Sequence, residues 1–123
     1  MRISEEQRAA GPIVTGFGPG GFRVGEERFR AVLLTVDAAR DWSPPPLPEL
    51  AFADLQWLID ARPEFILLGT GATLRRPSPA LVAALEARNI GLEPMDSRAA
   101  ARAWGVLRAE GRRIAAALYP LDV

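Results

Sequence analysis

The chain contains no cysteine, no histidine and no lysine, and it has a single tyrosine. Each absence removes a class of chemistry. Without cysteine there are no disulfides, thiolate nucleophiles, Fe–S clusters or thiolate-built zinc sites. Without histidine the usual general base and the commonest transition-metal ligand are missing. Without lysine there is no Schiff base, no Walker-type phosphate grip and no lysine base. All basic residues are therefore arginine, and Lys+Arg 15 balances Asp+Glu 15 to a formal net charge of zero. A balanced chain argues against a nucleic-acid partner, which wants a basic face. Arginine in place of lysine throughout, beside abundant alanine, glycine and proline, fits a GC-rich coding bias. Carboxylates, arginines, a few hydroxyls and backbone amides are left to carry any function. No catalytic residue, metal or cofactor is expected from that inventory.

What is present reads as one globular domain. Its 123 residues suit a single core. The start, Met1-Arg2-Ile3-Ser4-Glu5-Glu6, has no apolar h-region, so no secretory signal is expected. The apolar runs at residues 32–36 and 65–68 are far too short to span a bilayer, so the protein is expected to be cytoplasmic and not an integral membrane protein. Residues 1–11 are polar and expected to be loosely ordered, ahead of a single domain over residues 12–123.

Residues 13–36 read as antiparallel strands. Phe22, Val24, Phe29 and Ala31 alternate with charged residues in the period of a half-buried sheet, with a hairpin at Gly25-Glu26-Glu27. Val32-Leu33-Leu34-Thr35-Val36 is a more buried strand, and Trp42 closes this half. Pro44-Pro45-Pro46-Leu47-Pro48 cannot donate ladder bonds and reads as a stiff extended connector, with a ligand for a proline-binding domain as the alternative. The period then changes. Ala51, Leu55, Leu58 and Ile59 predict a helix ending near Arg62, before Pro63. Phe65-Ile66-Leu67-Leu68 predicts a central parallel strand. Ser78 caps a second helix with Pro79 at its first position and Leu81, Val82 and Leu85 inside; Asn89 or Gly91 ends it. Leu92 to Met95 is a short strand that Pro94 places near an edge. Asp96 or Ser97 caps a third helix with the stripe Ala100, Ala103, Trp104, Leu107, stopped by Gly111, before a last strand from Ile114 to Leu118. The predicted fold class is α/β: one mixed domain, an N-terminal antiparallel β layer packed on a Rossmann-like βαβαβ portion with about three helices.

Four places can carry chemistry. Gly16-Phe17-Gly18-Pro19-Gly20-Gly21 matches a dinucleotide-binding pattern by letter, but a strand follows it and Pro19 removes an amide, so a turn or bulge explains it better. Gly69-Thr70-Gly71 lies at the carboxyl end of the predicted central strand, where open α/β sheets collect ligands. With Arg75 and Arg76 and the amides at the Ser78 helix start, it forms a candidate small-anion or carboxylate site; a turn needing positive φ with solvated arginines is the alternative. Asp96 and Ser97 fit helix capping, and Glu110, Arg112 and Arg113 an ion-pair cluster. Trp42, Trp57 and Trp104 read as packing residues.

Several strings taken together resemble a known family: Gly18-Pro19-Gly20-Gly21-Phe22-Arg23-Val24, Trp42, Pro63-Glu64-Phe65-Ile66-Leu67-Leu68-Gly69-Thr70-Gly71, Met95-Asp96-Ser97, and the stretch from Leu107 to Leu118. They are similar to the uncharacterised Mth-type domain family that includes the mitochondrial complex I (NADH dehydrogenase) assembly factor 3 and the adipogenesis-associated Mth-domain protein. The resemblance runs from about Ile13 to Leu118. It implies a β layer folded against a Rossmann-like portion and no established enzymatic activity. It also implies action through protein partners in the eukaryotic member. Asp96, Ser97, Trp104, Glu110 and Arg112 fall on its motifs. The chain departs from the family at Ala103-Trp104-Gly105, where members usually carry Thr-Tyr-Asn, and a glycine there suggests close packing or a bend. The resulting expectation is a non-enzymatic accessory or interaction protein, with respiratory-complex assembly as its setting. The alternative is a small-anion or carboxylate-binding protein, or an enzyme, built on Gly69-Thr70-Gly71.

Overall fold

A computed structural model describes residues 11–123. The loosely ordered start expected for residues 1–11 lies, apart from Gly11, outside the described residues. Three strands, β1 (Val14–Gly18), β2 (Gly21–Val24) and β3 (Glu27–Phe29), form a small antiparallel meander. The turns are short: Pro19-Gly20 joins β1 to β2, and Gly25-Glu26 joins β2 to β3, with Gly25 at φ 61. The register slips between Val14 and Gly16, which makes the glycine-rich string a bulge and a turn. Phe22 pairs with Phe29 on the inner side of this sheet, and Arg23 pairs with Arg28 on the outer side.

The remaining strands build a second, mixed sheet: β4 (Val32–Leu34), β5 (Ala39–Asp41), β6 (Phe65–Gly69), β7 (Gly91–Met95) and β8 (Ala115–Leu118), in the order β5-β4-β8-β6-β7. β6 runs parallel to both β7 and β8, whereas β4 runs antiparallel to β8 and β5. The first half of the chain is antiparallel throughout, as expected, but β4 leaves the meander and joins only the second sheet, between β5 and β8. β5, too short to show periodicity, pairs onto its edge. β7 is an edge strand, which is where Pro94 can be tolerated.

Helices cover both faces of the mixed sheet. The expected helix over residues 51–62 is mostly a 3₁₀ turn (Phe52–Leu55) running into a single α-turn, α1 (Gln56–Ile59), and Ala51 is exposed rather than inside. α2 (Pro79–Glu86) starts at Ser78, whose hydroxyl accepts from Leu81 N at 3.2 Å. It ends in a Schellman arrangement around Asn89 (φ 61), with Ile90 N to Leu85 O at 3.0 Å and Asn89 N to Glu86 O at 2.9 Å. α3 (Ser97–Ala109) starts at Asp96, whose Oδ1 accepts from Ala99 N at 2.9 Å, and closes the same way at Gly111 (φ 76). Because successive strand residues face opposite ways, Leu33, Ile66, Leu68, Ala115 and Ala117 pack with α1, α2 and the connector, while Val32, Leu34, Leu67, Ala116 and Leu118 pack with α3 and the meander. Trp104 fills the second core completely and donates its indole N–H to Pro12 O at 2.9 Å. The expected close packing at Gly105 is not seen, since a Cβ there would meet nothing within 4 Å, and the α3 assignment is continuous through it. No described helix is long and apolar enough to cross a membrane.

Candidate functional site

The parallel strands β6, β7 and β8 end at Gly69, Met95 and Leu118, and the segments leaving these ends are tied to one another. Thr70 N donates to Met95 O (2.8 Å), Tyr119 N to Gly69 O (2.9 Å) and Ser97 N to Gly71 O (2.8 Å). The fully buried Ser97 hydroxyl accepts from Gly71 N and donates to Tyr119 O, both at 2.8 Å. The glycines make this closeness possible. A Cβ at Gly69 would stand 2.8 Å from Ser97 Oγ, and one at Gly71 would stand 2.3 Å from Val123 O, with Gly71 at φ 106. Gly69, by contrast, has no left-handed backbone; close approach alone explains it.

Thr70 is fully buried. Its hydroxyl donates to Thr73 O at 2.7 Å and accepts from Arg75 N at 3.0 Å, while its carbonyl accepts from Arg75 Nε and Nη2, both at 3.3 Å. Gly69, Thr70 and Gly71 thus hold the loop together, and of the candidate ligand residues only the two arginines face cavities. They face different ones. Arg75 lines a groove of about 580 Å³ walled by residues 44–48, Trp42 and Tyr119. Arg76 lines an apolar groove of about 550 Å³ between α2 and the edge strand β7, with Val82, Leu92 and Pro94.

The connector is docked rather than free. Tyr119 donates its hydroxyl to Pro45 O at 2.7 Å, its ring meets Trp42 edge-on at 5.1 Å between centroids, and Leu47 is buried. Burial first, and then the Asp54 carboxylate, push the Tyr119 hydroxyl up to about 12, against a smaller opposing effect of Arg75. It therefore stays a hydrogen-bond donor at neutral pH. Arg30 stands at the rim of the groove and pairs with Asp122 at 3.2 Å on the surface.

None of the motif positions lines this groove; Ser97 reaches it only through its hydrogen bond to Tyr119 O. Asp96 is the α3 cap, and Trp104 is core. The expected cluster of Glu110, Arg112 and Arg113 does not form as such. Arg112 pairs instead with Glu64 through Nη2 at 2.9 Å and Nε at 3.2 Å, and Arg113 donates to Ala61 O at 3.1 Å. Arg108 is another surprise: it is 8% exposed, donates to Arg112 O at 2.8 Å, and its Nε has no partner. The reason for the Glu64 partnership is topological, because β6 begins where β8 is entered. Sequence reasoning passed over Glu64, Arg30 and Tyr119. The available signal for the last was its place as the sole tyrosine directly after an apolar strand. Among the described residues no three carboxylates gather to hold a metal ion.

A mixed five-stranded sheet with an antiparallel meander and a glycine loop closed on itself defines a small α/β domain. The chain belongs to the family described as a protein of unknown function (DUF498/DUF598), which matches residues 14–119. An uncharacterised protein of Rhodobacter capsulatus is 35% identical over 88% of this chain and 84% of its own length. The Danio rerio NADH dehydrogenase [ubiquinone] 1 alpha subcomplex assembly factor 3 is 27% identical over 98% of this chain and 71% of its own. A Bordetella parapertussis crystal structure superposes with a TM-score of 0.82 at 35% identity, covering 90% of this chain and 97% of that one. The solution structure of a Bordetella pertussis protein, described as a Mth938-like domain, gives 0.77 at 28% identity, covering 90% and 87%.

Proposed function

We propose that this protein is a non-enzymatic accessory factor that works by binding other proteins, in the assembly of a respiratory complex, from the cytoplasmic side. The observation that carries the reading is the similarity, over nearly the whole chain, to a relative named as an assembly factor of NADH dehydrogenase. Two features support it. Several of the polar groups that could act chemically are engaged in holding the fold: Ser97, Thr70, Asp96 and the Glu64–Arg112 pair all have internal partners. The apolar groove beside β7 and the exposed Leu74 and Val106 offer contact surface of the kind protein partners use. Affinity purification from the native cell, under conditions that preserve respiratory assemblies, tests the proposal. Recovery of respiratory subunits or their assembly intermediates is expected; recovery of none would overturn it.

A second reading, that Arg75 serves a small-anion or carboxylate site, is favoured by one observation: Arg75 alone of Gly69, Thr70, Gly71, Arg75 and Arg76 lines a groove at the carboxyl ends of the parallel strands. That is where α/β sheets place ligands.

A further inference from the structure

We propose that the groove between the proline connector and the end of β8 binds a small monocarboxylate with an apolar, aromatic-sized body. This rests on the second reading above and names the ligand class for it. The volume of about 580 Å³ lies in the range of small-molecule sites. Its shape is fixed in advance. Pro44, Pro45, Pro46 and Pro48 have restricted backbones, the Tyr119 hydroxyl holds Pro45, and buried Leu47 anchors the connector. A preformed wall keeps the ordering cost of binding low.

The choice of charge follows from the donors. A guanidinium has five N–H groups. Arg75 gives two of them to Thr70 O, so three remain uncommitted among the described residues. They suit the two oxygens of a carboxylate. Arg30 adds a second cation at the rim. A phosphate dianion needs more: the four prolines contribute no N–H, and the amides of Thr70, Gly71, Ala72 and Arg75 already have internal partners. Asp41, also on the groove, further disfavours a second negative charge. A cationic ligand would meet Arg75 and Arg30. The apolar body follows from the walls, since half-buried Trp42, Pro44 and Pro45 and exposed Pro46 and Pro48 offer surface without a charge, over the buried Leu47 and Tyr119.

The test is an NMR titration of the full chain with phenylacetate, its neutral amide phenylacetamide, and inorganic phosphate, followed at the Trp42 indole N–H and the Arg75 Nε–H. Phenylacetate is expected to move both signals and to bind at least about tenfold more tightly than phenylacetamide, the charge-assisted contact being lost in the amide. Arg75→Gln is expected to weaken phenylacetate by about tenfold or more, and Arg30→Gln by about threefold, as for an exposed charge. Because Arg75 also braces the Thr70 loop, the wild-type ligand pair and Arg30→Gln, a change at an exposed side chain paired with surface Asp122, decide the matter if Arg75→Gln fails to fold. Equal binding of acid and amide would overturn the proposal. Phosphate moving Arg75 as strongly as phenylacetate would keep an anion site there and sink the apolar carboxylate. No response at Arg75 to any probe would sink both.

Discussion

The two ends of the parallel strands each carry a cavity of similar size and each cavity has two arginines, yet the arginines do different work. At the amino end, about 630 Å³ is lined by Asp60, Arg62, Arg88 and Asn89. α1 and α2 both finish here, and their terminal carbonyls are taken by backbone amides: Arg62 N donates to Ile59 O at 2.9 Å, Asn89 N to Glu86 O at 2.9 Å and Ile90 N to Leu85 O at 3.0 Å. Arg62 itself sits at the left-handed turn after α1 with φ 55, Arg88 lies over the Phe52 ring at 5.2 Å, and Asn89 closes α2. These residues terminate helices. At the carboxyl end the helix α3 begins, Asp96 caps it, and the loop amides are satisfied internally, which among the described residues leaves Arg75 with Thr70 O as its carbonyl partner and donors to spare. Size does not separate a structural hollow from a binding one; what the lining groups already hold does.

That contrast can be broken at several points. Gly71→Ala is expected to be the most damaging, by about 2–4 kcal/mol in chemical denaturation, because the new Cβ collides with Val123 O on a left-handed backbone. A loss below about 0.5 kcal/mol would mean the loop is less closed than its hydrogen bonds indicate. Tyr119→Phe is expected to cost about 1 kcal/mol by freeing Pro45 O. It also removes an alkaline effect. With the folded Tyr119 value raised from 10.0 to about 12, its contribution is complete below pH 10 and is lost as pH rises toward about 12. Wild type should therefore lose stability across that window more steeply than the variant.

At the amino end, Arg62→Gly is expected to stabilise by up to about 1 kcal/mol, since glycine adopts φ 55 without strain. A destabilising outcome would show that the Arg62 side chain does more than end a helix. The smallest effect is expected at the exposed pair. The hydrogen bond from Arg112 holds the Glu64 carboxyl below its ordinary value of 4.5, and the raised Arg112 value reflects the same contact. That contribution is present above the ordinary value and disappears as pH falls through the lowered one. Denaturation of Glu64→Gln between neutral and acid pH should lack this acid-side loss.

Much of this architecture was legible before the structure. Ser78, Pro79, Asp96 and Gly111 each impose a local geometry, so the boundaries of α2 and α3 were readable, and the all-apolar run of β6 implied burial on both faces. The parallel pairing of the second-half strands followed from their alternation with helices, though their order in the sheet did not. The misses have physical reasons. Three-residue strands such as β5 carry no period, and the single turn of α1 carries less than a helix needs. Gly105 was read as close packing or a bend, and its open Cβ direction removes the first of these. The Gly69-Thr70-Gly71 loop was expected at the end of the central strand and lies there, but sequence cannot say that Arg75 and Arg76, adjacent residues, face different grooves. Nor can it show that Trp42, Pro45 and Tyr119, far apart in the chain, share one wall, because those contacts depend on β4 and β8 pairing.

The most direct test of the contrast between the two ends follows the Nε–H signals of Arg75, Arg62 and Arg88 together while phenylacetate is added to the intact chain. The account requires Arg75 to shift and saturate with the Trp42 indole, while Arg62 and Arg88 stay in place. Saturable shifts at Arg62 and Arg88, with Arg75 unmoved, would contradict it.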